Sequence, residues 1–255
     1  MADTIKEETK MHEQLKMYEV FGQKITGMGE PHMACALLLD TSFSMSMGRG
    51  GETPIHNLSE GIRRFKAAVS EDPLAQKRVD VAIITFSDHA QKICDFTPVV
   101  DLPTPELEAT GMTNMAEGIQ MAIDLVKDRT QMYQNLGTPC YKPWILMITD
   151  GASNSEDAEM EKAAQRIALE ESKGSHGHLS FWGVGVGNYD SKELFKLTNR
   201  VVELRAMDFT QLFDWLSESF TEISRSQVDD RVALPPLGED MRKSKPDRCI
   251  DEDWY

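Results

Sequence analysis

The sequence predicts an α/β protein built on a doubly wound, mostly parallel sheet, with one antiparallel edge strand and helices on both faces. Short, continuously apolar runs such as residues 34–40 and 143–151 are typical of strands buried on both faces of a parallel sheet. These runs alternate with segments of helical periodicity, which is the order of a sheet covered by helices. Two β-rich segments, 79–88 and 90–99, follow each other almost at once. Because parallel strands need a long crossover, this pair is predicted to be an antiparallel hairpin.

In the first half of the chain, each element has its own local signal. The strand at 34–40 precedes a helix whose apolar residues recur at three- or four-residue spacing from Ile55 to Val69. The hairpin turns through residues 87–89. The helix at 113–129 follows, and Asn114 has the side chain expected of its N-cap.

The second half of the chain continues the same alternation. A helix that Ser155 opens and Gly174 closes follows the strand at 143–151. The last helix has an apolar face that would point inward. The remaining elements are strands at 178–187 and 200–205, a short helix at 191–198 and the last helix at 208–226.

Residues 1–32 are predicted to form an N-terminal helical extension. Thr4 and Glu7 have the spacing of a capping box. One helical face would dock on the domain or on a partner, and a partly ordered extension is the alternative. The residues on that face are Met11, Leu15 and Tyr18.

The main domain is predicted at residues 33–227, and residues 228–255 are predicted to form a charged, proline-containing C-terminal tail. The tail carries a Pro-Pro pair at 235–236, and residues 241–255 show no apolar period. Such a composition supplies little that a core can bury. The tail is therefore expected to wrap the domain or to hang free.

Composition excludes several classes of partner. The formal net charge of −15 would repel nucleic-acid phosphates and anionic lipids, and the basic clusters at 63–64 and 242–243 are short. No apolar stretch approaches the roughly 20 residues that span a bilayer, and the polar N-terminus carries no secretory signal. The four cysteines form no CxxC pair, so neither a disulfide framework nor a zinc site is expected. These features predict a cytoplasmic protein that contacts neither nucleic acid nor membrane.

Five oxygen-bearing side chains are predicted to meet at one edge of the sheet. Asp40 ends the first strand, with Ser42 and Ser44 just beyond it. Thr113 opens a helix after another loop, and Asp150 ends a second buried strand. In an open α/β sheet, ligands bind outside the carboxyl ends of the strands, where the strand order reverses. We therefore expect these side chains to line one site.

The chemistry of this set favours a metal ion. Two carboxylates and three hydroxyls are all hard oxygen donors, which suit Mg²⁺ or Mn²⁺ better than zinc or copper. Side chains at alternate positions of extended backbone point the same way, so Asp40, Ser42 and Ser44 can turn toward one point. The alternative is that the two serines are loop residues that cap the next helix. That alternative explains neither Thr113 nor Asp150.

The pattern D-x-S-x-S, then T, then D resembles the metal-ion-dependent adhesion site of the von Willebrand factor A family. The resemblance covers about residues 33–226, and its specific stretches are LLLDTSFSM, GMTNMAEGI and ILMITDG. More narrowly, SEDPLA, VAIITFSD, FWGVGVG and the Pro-Pro tail resemble bacterial TerY/YegL-type domains associated with tellurium-resistance and stress loci. The resemblance implies a Rossmann-like fold.

The resemblance also implies that some residues bind the metal directly and others through water. Ser42, Ser44 and Thr113 would bind the ion through their hydroxyls, while Asp40 and Asp150 would bind mainly through water. One coordination position would remain for an Asp or Glu of a partner protein. The sequence departs from the family where Phe43 replaces a common glycine, and this bulky side chain would crowd the loop or present an apolar contact beside the metal.

Other motifs have simpler interpretations. The glycines of GVGVGN (183–188) lack the spacing of a dinucleotide fingerprint and favour close packing. His176 and His178 have no Cys or third His nearby, which favours a solvated loop over zinc. Ser87 and Asp88 are interpreted as turn residues.

Two further sets of loop residues each have two interpretations. Ser153 and Asn154 would touch metal-bound water, or, in the favoured interpretation, Asn154 or Ser155 caps the next helix. Met45 and Met47 would line an adaptable contact surface or fill gaps in the core.

The leading functional hypothesis is a metal-dependent protein-interaction module rather than an enzyme. The site has no obvious general base and no nucleophile–base pair. By resemblance, the partner would be a co-encoded kinase or phosphatase or a stress protein. The alternative is a Mg²⁺-dependent hydrolase or phosphotransferase in the same acidic cleft. A secreted adhesin would share the metal site but needs an export signal.

Overall fold

A mixed, mostly parallel sheet forms the centre of the protein. The computed structural model describes residues 17–20, 23–27, 29–48, 53–173, 179–187, 189–204, 209–228 and 230–243. Within these ranges the large sheet has seven strands in the order β5-β4-β3-β6-β7-β8-β9, and β1 and β2 form a separate hairpin. The strands are β1 (Met17–Val20), β2 (Gln23–Thr26), β3 (Met33–Asp40), β4 (Val79–Phe86), β5 (Ala90–Pro98), β6 (Trp144–Thr149), β7 (Ser180–Val186), β8 (Val201–Leu204) and β9 (Met241–Lys243).

The strand order reverses between β3 and β6. From β3 the chain moves outward to β4 and β5, then returns to the other side of β3 and continues outward through β6, β7 and β8. Strands β3, β4, β6, β7 and β8 pair in parallel, and β4 and β5 form the predicted antiparallel edge pair. The predicted fold class is confirmed. Its topology places the carboxyl ends of β3 and β6 at the switch point, where such sheets bind ligands.

Helices cover both faces of the sheet, and each face has its own apolar cluster. Leu37 and Leu39 of β3 pack with α1 and α6, whereas Ala36 and Leu38 pack with α3 and α4. This alternation is why β3 is apolar at every position before Asp40. Within the described part of the chain, no helix combines the length and apolar character needed to cross a membrane. The helices are α1 (Pro54–Glu71), α2 (Ala75–Arg78), α3 (Met115–Asn135), α4 (Asp157–Ser172), α5 (Ser191–Leu197) and α6 (Thr210–Arg225).

The N-terminal segment contains a β-hairpin where a helix was predicted. Tyr18, expected on a helical face, lies in β1, which pairs antiparallel with β2. Arg129 of α3 holds this hairpin by donating to the Gln23 side chain and, at 2.7 Å, to the Lys24 carbonyl. Local spacing did not predict the hairpin, because these contacts come from α3, more than 100 residues further along the sequence. The other extension residues named above, between 4 and 15, lie outside the described residues, and the domain boundaries at 32 and 227 stay predictions.

The described part of the C-terminal tail lies against the domain. Trp215 of α6 donates its indole N–H to the Pro235 carbonyl at 3.0 Å, and Leu234 and Leu237 pack on the core. Strand β9 then pairs antiparallel with β8 and covers that edge of the sheet. This second antiparallel edge strand was not predicted, because its three residues, MRK, pair through backbone hydrogen bonds and carry no apolar pattern.

A buried polar cluster lies at the opposite end of the sheet from the predicted site. Asp80, the second residue of β4, is fully buried. One of its carboxylate oxygens lies 2.8 Å from His32 Nδ1 and 3.0 Å from the Arg129 guanidinium. The same oxygen accepts a hydrogen bond from the Tyr133 hydroxyl at 2.5 Å. Because Arg129 also holds the β1–β2 hairpin, this cluster joins the hairpin, the sheet and α3.

Candidate metal site

Asp40 is held at the carboxyl end of β3 by hydrogen bonds to both carboxylate oxygens. Its Oδ1 accepts from the Ser42 backbone N–H at 2.8 Å, which bends the chain out of the strand. Its Oδ2 accepts from the Thr149 hydroxyl at 2.6 Å. Asp40 itself is fully buried. The carboxylate is therefore oriented by its own loop and by the neighbouring strand.

The two serines continue this network to Asp150. The hydroxyl oxygens of Ser42 and Ser44 are 3.1 Å apart, and Ser44 donates to Asp150 Oδ1 at 2.6 Å. A short 3-10 turn over Phe43–Ser46 positions the second serine. Four of the five predicted residues thus belong to one hydrogen-bonded cluster, and their part in binding a metal stays a prediction.

Thr149 is the member of this cluster that the sequence interpretation missed. In the parallel pairing of β3 with β6, Leu39 lies opposite Ile148. The next position along β6 is Thr149, which brings its hydroxyl to Asp40. The residue precedes Asp150 in the sequence, but only the strand order shows that it faces the other carboxylate.

Thr113 is buried and lies beside the loop that follows Asp150. Its backbone N–H donates to Asn154 Oδ1 at 3.1 Å, and its carbonyl accepts from the Asn154 N–H at 2.9 Å and from the Ser153 hydroxyl at 3.3 Å. These contacts join the third loop to the end of β6. They place Thr113 next to the cluster through its backbone, and a ligand role for its hydroxyl remains predicted.

The favoured capping interpretation of Asn154 and Ser155 was wrong. Helix α4 begins at Asp157, and its N-cap makes no side-chain hydrogen bond. The Ser155 hydroxyl instead accepts from the Ala116 N–H of α3 and donates to Asn114 Oδ1, both at 3.1 Å. The two side chains therefore satisfy groups at the start of α3, about 40 residues away in sequence, and not at the start of their own helix.

Asp88, predicted only as a turn residue, also positions a loop of the site. Its Oδ1 accepts from the Met112 N–H at 2.9 Å. Gly111 precedes Met112 with a φ of +75°, and a Cβ there would come within 2.6 Å of the Asp88 carboxylate. The Gly111 carbonyl accepts from the Phe43 N–H at 3.1 Å, so the loop before Thr113 is tied to the loop of the two serines.

We expect Gly111→Ala to lower the free energy of unfolding and also to weaken Mg²⁺ binding. The left-handed backbone costs an L-residue about 1–2 kcal/mol, and the added methyl group displaces Asp88 and with it the Met112–Thr113 backbone. Urea denaturation and Mg²⁺ titration measure the two effects. Gly137→Ala is the matched control, since Gly137 has a φ of +64° with nothing within 4 Å of an added Cβ. Equal Mg²⁺ affinity in the two variants would contradict the expected role of the Gly111 loop.

Comparison with known proteins agrees with this geometry. Residues 35–152, just under half of the chain, match the family model of the von Willebrand factor type A domain. The match runs from the strand that ends in Asp40 to the residues just beyond Asp150. Residues 35–152 are thus similar to the von Willebrand factor type A domain. The comparison with curated proteins gave no match.

Solved structures similar in fold to this chain include two pilus proteins. The pilus adhesin SpaC from Lactobacillus rhamnosus GG has a TM-score of 0.54 at 12% identity, over 76% of this chain and 31% of its own. A mutant of the PilB minor pilin from Streptococcus sanguinis has a TM-score of 0.53 at 13% identity, over 76% and 62%. Proximal thread matrix protein 1 from the mussel byssus, with a zinc-occupied MIDAS motif, has a TM-score of 0.48 at 16% identity, over 84% and 48%. The chain covers less than two thirds of each structure, and the two pilus proteins support the fold alone.

The two carboxyl groups of the domain's site are electrostatically unfavourable by themselves. The pKa of Asp40 is raised to about 6, chiefly by burial and to a smaller extent by the nearby Asp150 charge, while the hydrogen bonds from Ser42 and Thr149 oppose the rise. Burial likewise raises the pKa of Asp150, in part offset by the Ser44 hydrogen bond. A divalent cation between the groups would relieve the cost of ionising both.

The donor set also fits the kind of metal that the sequence predicts. Carboxylate and hydroxyl oxygens are hard ligands, which suit Mg²⁺ or Mn²⁺. Across the described ranges, no group of three or more His, Cys, Asp and Glu side chains gathers as a metal site.

The remaining predicted motifs have structural explanations. A Cβ at Gly185 would come within 2.2 Å of the Tyr189 ring, which confirms the close-packing interpretation of the glycine-rich strand. Met45 is buried and fills the core, whereas Met47 is exposed. The two histidines at 176 and 178 lie outside the described residues.

Proposed function

We propose that this domain binds Mg²⁺ or Mn²⁺ and uses the ion to bind an Asp or Glu side chain of a partner protein. The observation that carries the proposal is the hydrogen-bonded cluster of hydroxyls and carboxylates at the switch point of the sheet. The residues that would hold the ion are Asp40, Ser42, Ser44, Thr113 and Asp150.

The donor set supports a division between direct and water-mediated contacts. Hydroxyl oxygens of Ser42, Ser44 and Thr113 would bind the ion directly, and the two aspartates would bind mainly through water. Few direct carboxylate contacts leave the ion electrophilic. An incoming carboxylate then gains a strong charge-assisted contact at the free position.

We propose binding rather than catalysis at this site. The described loop residues 41–48, 110–114 and 150–156 contain no lysine, arginine or histidine, and Arg49 is the exception close to them in sequence. Phosphoryl chemistry normally needs cationic groups that stabilise the developing charge, beyond the metal itself. Resemblance to the TerY/YegL-type domains supports a cytoplasmic partner such as a co-encoded kinase or phosphatase, or a stress protein.

Capture of the partner tests the proposal. Immobilised protein is incubated with lysate of the native organism in Mg²⁺ or in EDTA, and retained proteins are identified by mass spectrometry. We expect a partner that is retained only with Mg²⁺, is lost in Asp40→Asn, and is kept in Asp124→Asn. Asp124 is the matched control because it carries the same charge on an exposed part of α3.

The same preparation measures the alternative directly. Purified protein is assayed for phosphoester hydrolysis with Mg²⁺. Hydrolysis that Asp40→Asn abolishes, together with no metal-dependent capture, would replace the interaction module with a Mg²⁺-dependent hydrolase.

A further inference from the structure

The three most exposed large apolar side chains of the described residues belong to the loops that carry the proposed hydroxyl ligands. Met47 is 59% exposed, Phe43 57% and Met112 56%. Phe43 lies between Ser42 and Ser44, and Met112 directly precedes Thr113. Met47 is three residues beyond Ser44. Each loop that supplies a hydroxyl ligand therefore also presents a large apolar side chain to solvent.

Backbone hydrogen bonds tie the loop of Phe43 to the loop of Met112 and fix Met47 within the first of these loops. The Phe43 N–H donates to the carbonyl of Gly111, the neighbour of Met112, at 3.1 Å, and the Met47 N–H donates to the Ser44 carbonyl at 2.8 Å. Between Phe43 and Met47, Met45 points into the core. We call the exposed side chains of Phe43, Met47 and Met112 the apolar rim. Each of these residues lies within three positions of a proposed hydroxyl ligand, which places the apolar rim in the same loops as the site.

The charge of the protein limits what can bind this surface. The chain has a formal net charge of −15, and the described loops of the site contain no basic residue. A partner surface that is broadly acidic would be repelled, with a single metal contact to offset the repulsion. Burial of the apolar rim supplies attraction that does not depend on charge.

We propose that the partner segment is a carboxylate flanked by a large apolar side chain, which packs on the apolar rim while the carboxylate binds the metal. This inference rests on the proposed function and specifies the class of partner. The surface selects an Asp or Glu in an apolar context and rejects one in a run of acidic residues.

Small carboxylates test the rim without knowledge of the partner. Protein labelled with ¹³C at the methionine methyl groups and saturated with Mg²⁺ is titrated with acetate and with 3-phenylpropionate by NMR. Met47→Leu and Met112→Leu assign the two rim methyl signals. We expect 3-phenylpropionate to bind about tenfold more tightly than acetate and to shift both signals. EDTA is expected to abolish both binding events.

Substitution of the rim gives the matched comparison. Phe43→Ser and Met112→Ser are each titrated at saturating Mg²⁺. In both variants we expect the affinity for 3-phenylpropionate to fall toward the affinity for acetate. Leu169→Ser is the control, because Leu169 is 55% exposed but lies on α4. It should keep the full preference. Equal affinity of the wild type for the two carboxylates, or an unchanged preference in both rim variants, would contradict the proposed role of the apolar rim.

The outcomes separate the rim from the proposed function. If Mg²⁺ binds and both carboxylates bind with equal affinity, the proposed metal-dependent binding is supported and the proposed role of the apolar rim is wrong. If Mg²⁺ binds but neither carboxylate does, carboxylate recognition fails and the rim fails with it. If neither Mg²⁺ nor Mn²⁺ binds, both proposals are wrong.

Discussion

Asp80→Asn is expected to lower the free energy of unfolding by about 3–5 kcal/mol, the usual cost of leaving a buried charge unpaired. The Arg129 guanidinium, 3.0 Å from the Asp80 carboxylate, is fully buried and would lose its counter-charge. The amide oxygen of asparagine can still accept from the Tyr133 hydroxyl and the His32 ring, so the loss comes from the missing charge. Urea denaturation followed by circular dichroism measures the loss.

Two further variants separate this explanation from general sensitivity to substitution. Asp124→Asn removes an exposed carboxylate paired with Arg166 on the outside of the domain, and should cost no more than about 1 kcal/mol. The double variant Asp80→Asn, Arg129→Met should be more stable than Asp80→Asn alone, because no unpaired charge remains. If the double variant loses as much free energy of unfolding as the two single variants lose together, the charge-pair explanation is wrong.

The same cluster predicts how stability depends on pH. Burial alone would raise the pKa of Asp80, but Arg129 and His32 lower it from 3.8 to about 2. A lowered folded-state pKa means that the unfolded chain binds the proton more tightly. The contribution of Asp80 is therefore complete above about pH 4 and is lost as the pH falls from there toward 2. Asp80→Asn should lack this acid-dependent loss.

Mg²⁺ is expected to stabilise the wild-type protein and to stabilise Asp40→Asn much less. Ligand binding to the folded state alone adds about 2.7 kcal/mol at a concentration one hundred times the Kd. Asparagine fits the same space and can accept the Ser42 N–H bond at 2.8 Å, so the fold is retained. It lacks the charge that holds the ion through water, and loss of such a group weakens metal binding about 10- to 100-fold.

Thermal unfolding with MgCl₂ or EDTA, together with isothermal titration, checks this expectation. Asp124→Asn should respond to Mg²⁺ as the wild type does, because its carboxylate lies on α3, away from the site. Equal Mg²⁺ affinities for wild type and Asp40→Asn would show that the cluster around Asp40 does not hold the ion.

Much of the site was predictable because its residues end recognisable elements. A continuously apolar run that stops at Asp40 marks the end of a buried strand, and the run that stops at Asp150 marks another. Both ends must lie at one edge of a parallel sheet, and the pairing of β3 with β6 in the structure makes them neighbours. The stabilising partners were not predictable in this way. Thr149 and Asp88 act through residues 109 and 24 positions away in the chain.

The ends of the chain show the same limit. The β1–β2 hairpin lies where helical spacing was predicted, because its stabilising contacts come from Arg129 on α3. Strand β9 belongs to a charged tail without any strand pattern, and it is ordered by backbone pairing with β8. Propensity is a weak guide to such short segments, since their structure depends on which neighbour they meet.

By itself, the sequence determined the alternation of strands and helices, the sheet they form, and the placement of two carboxylates and their hydroxyl neighbours at one edge. Those features follow from local patterns of apolar and polar residues. Only the tertiary structure decided that Thr149 faces Asp40, that Asp88 holds the Met112 loop, and that the apolar rim is exposed beside the site. Each of these depends on strand order or on contacts between distant segments, and local spacing carries no information about either.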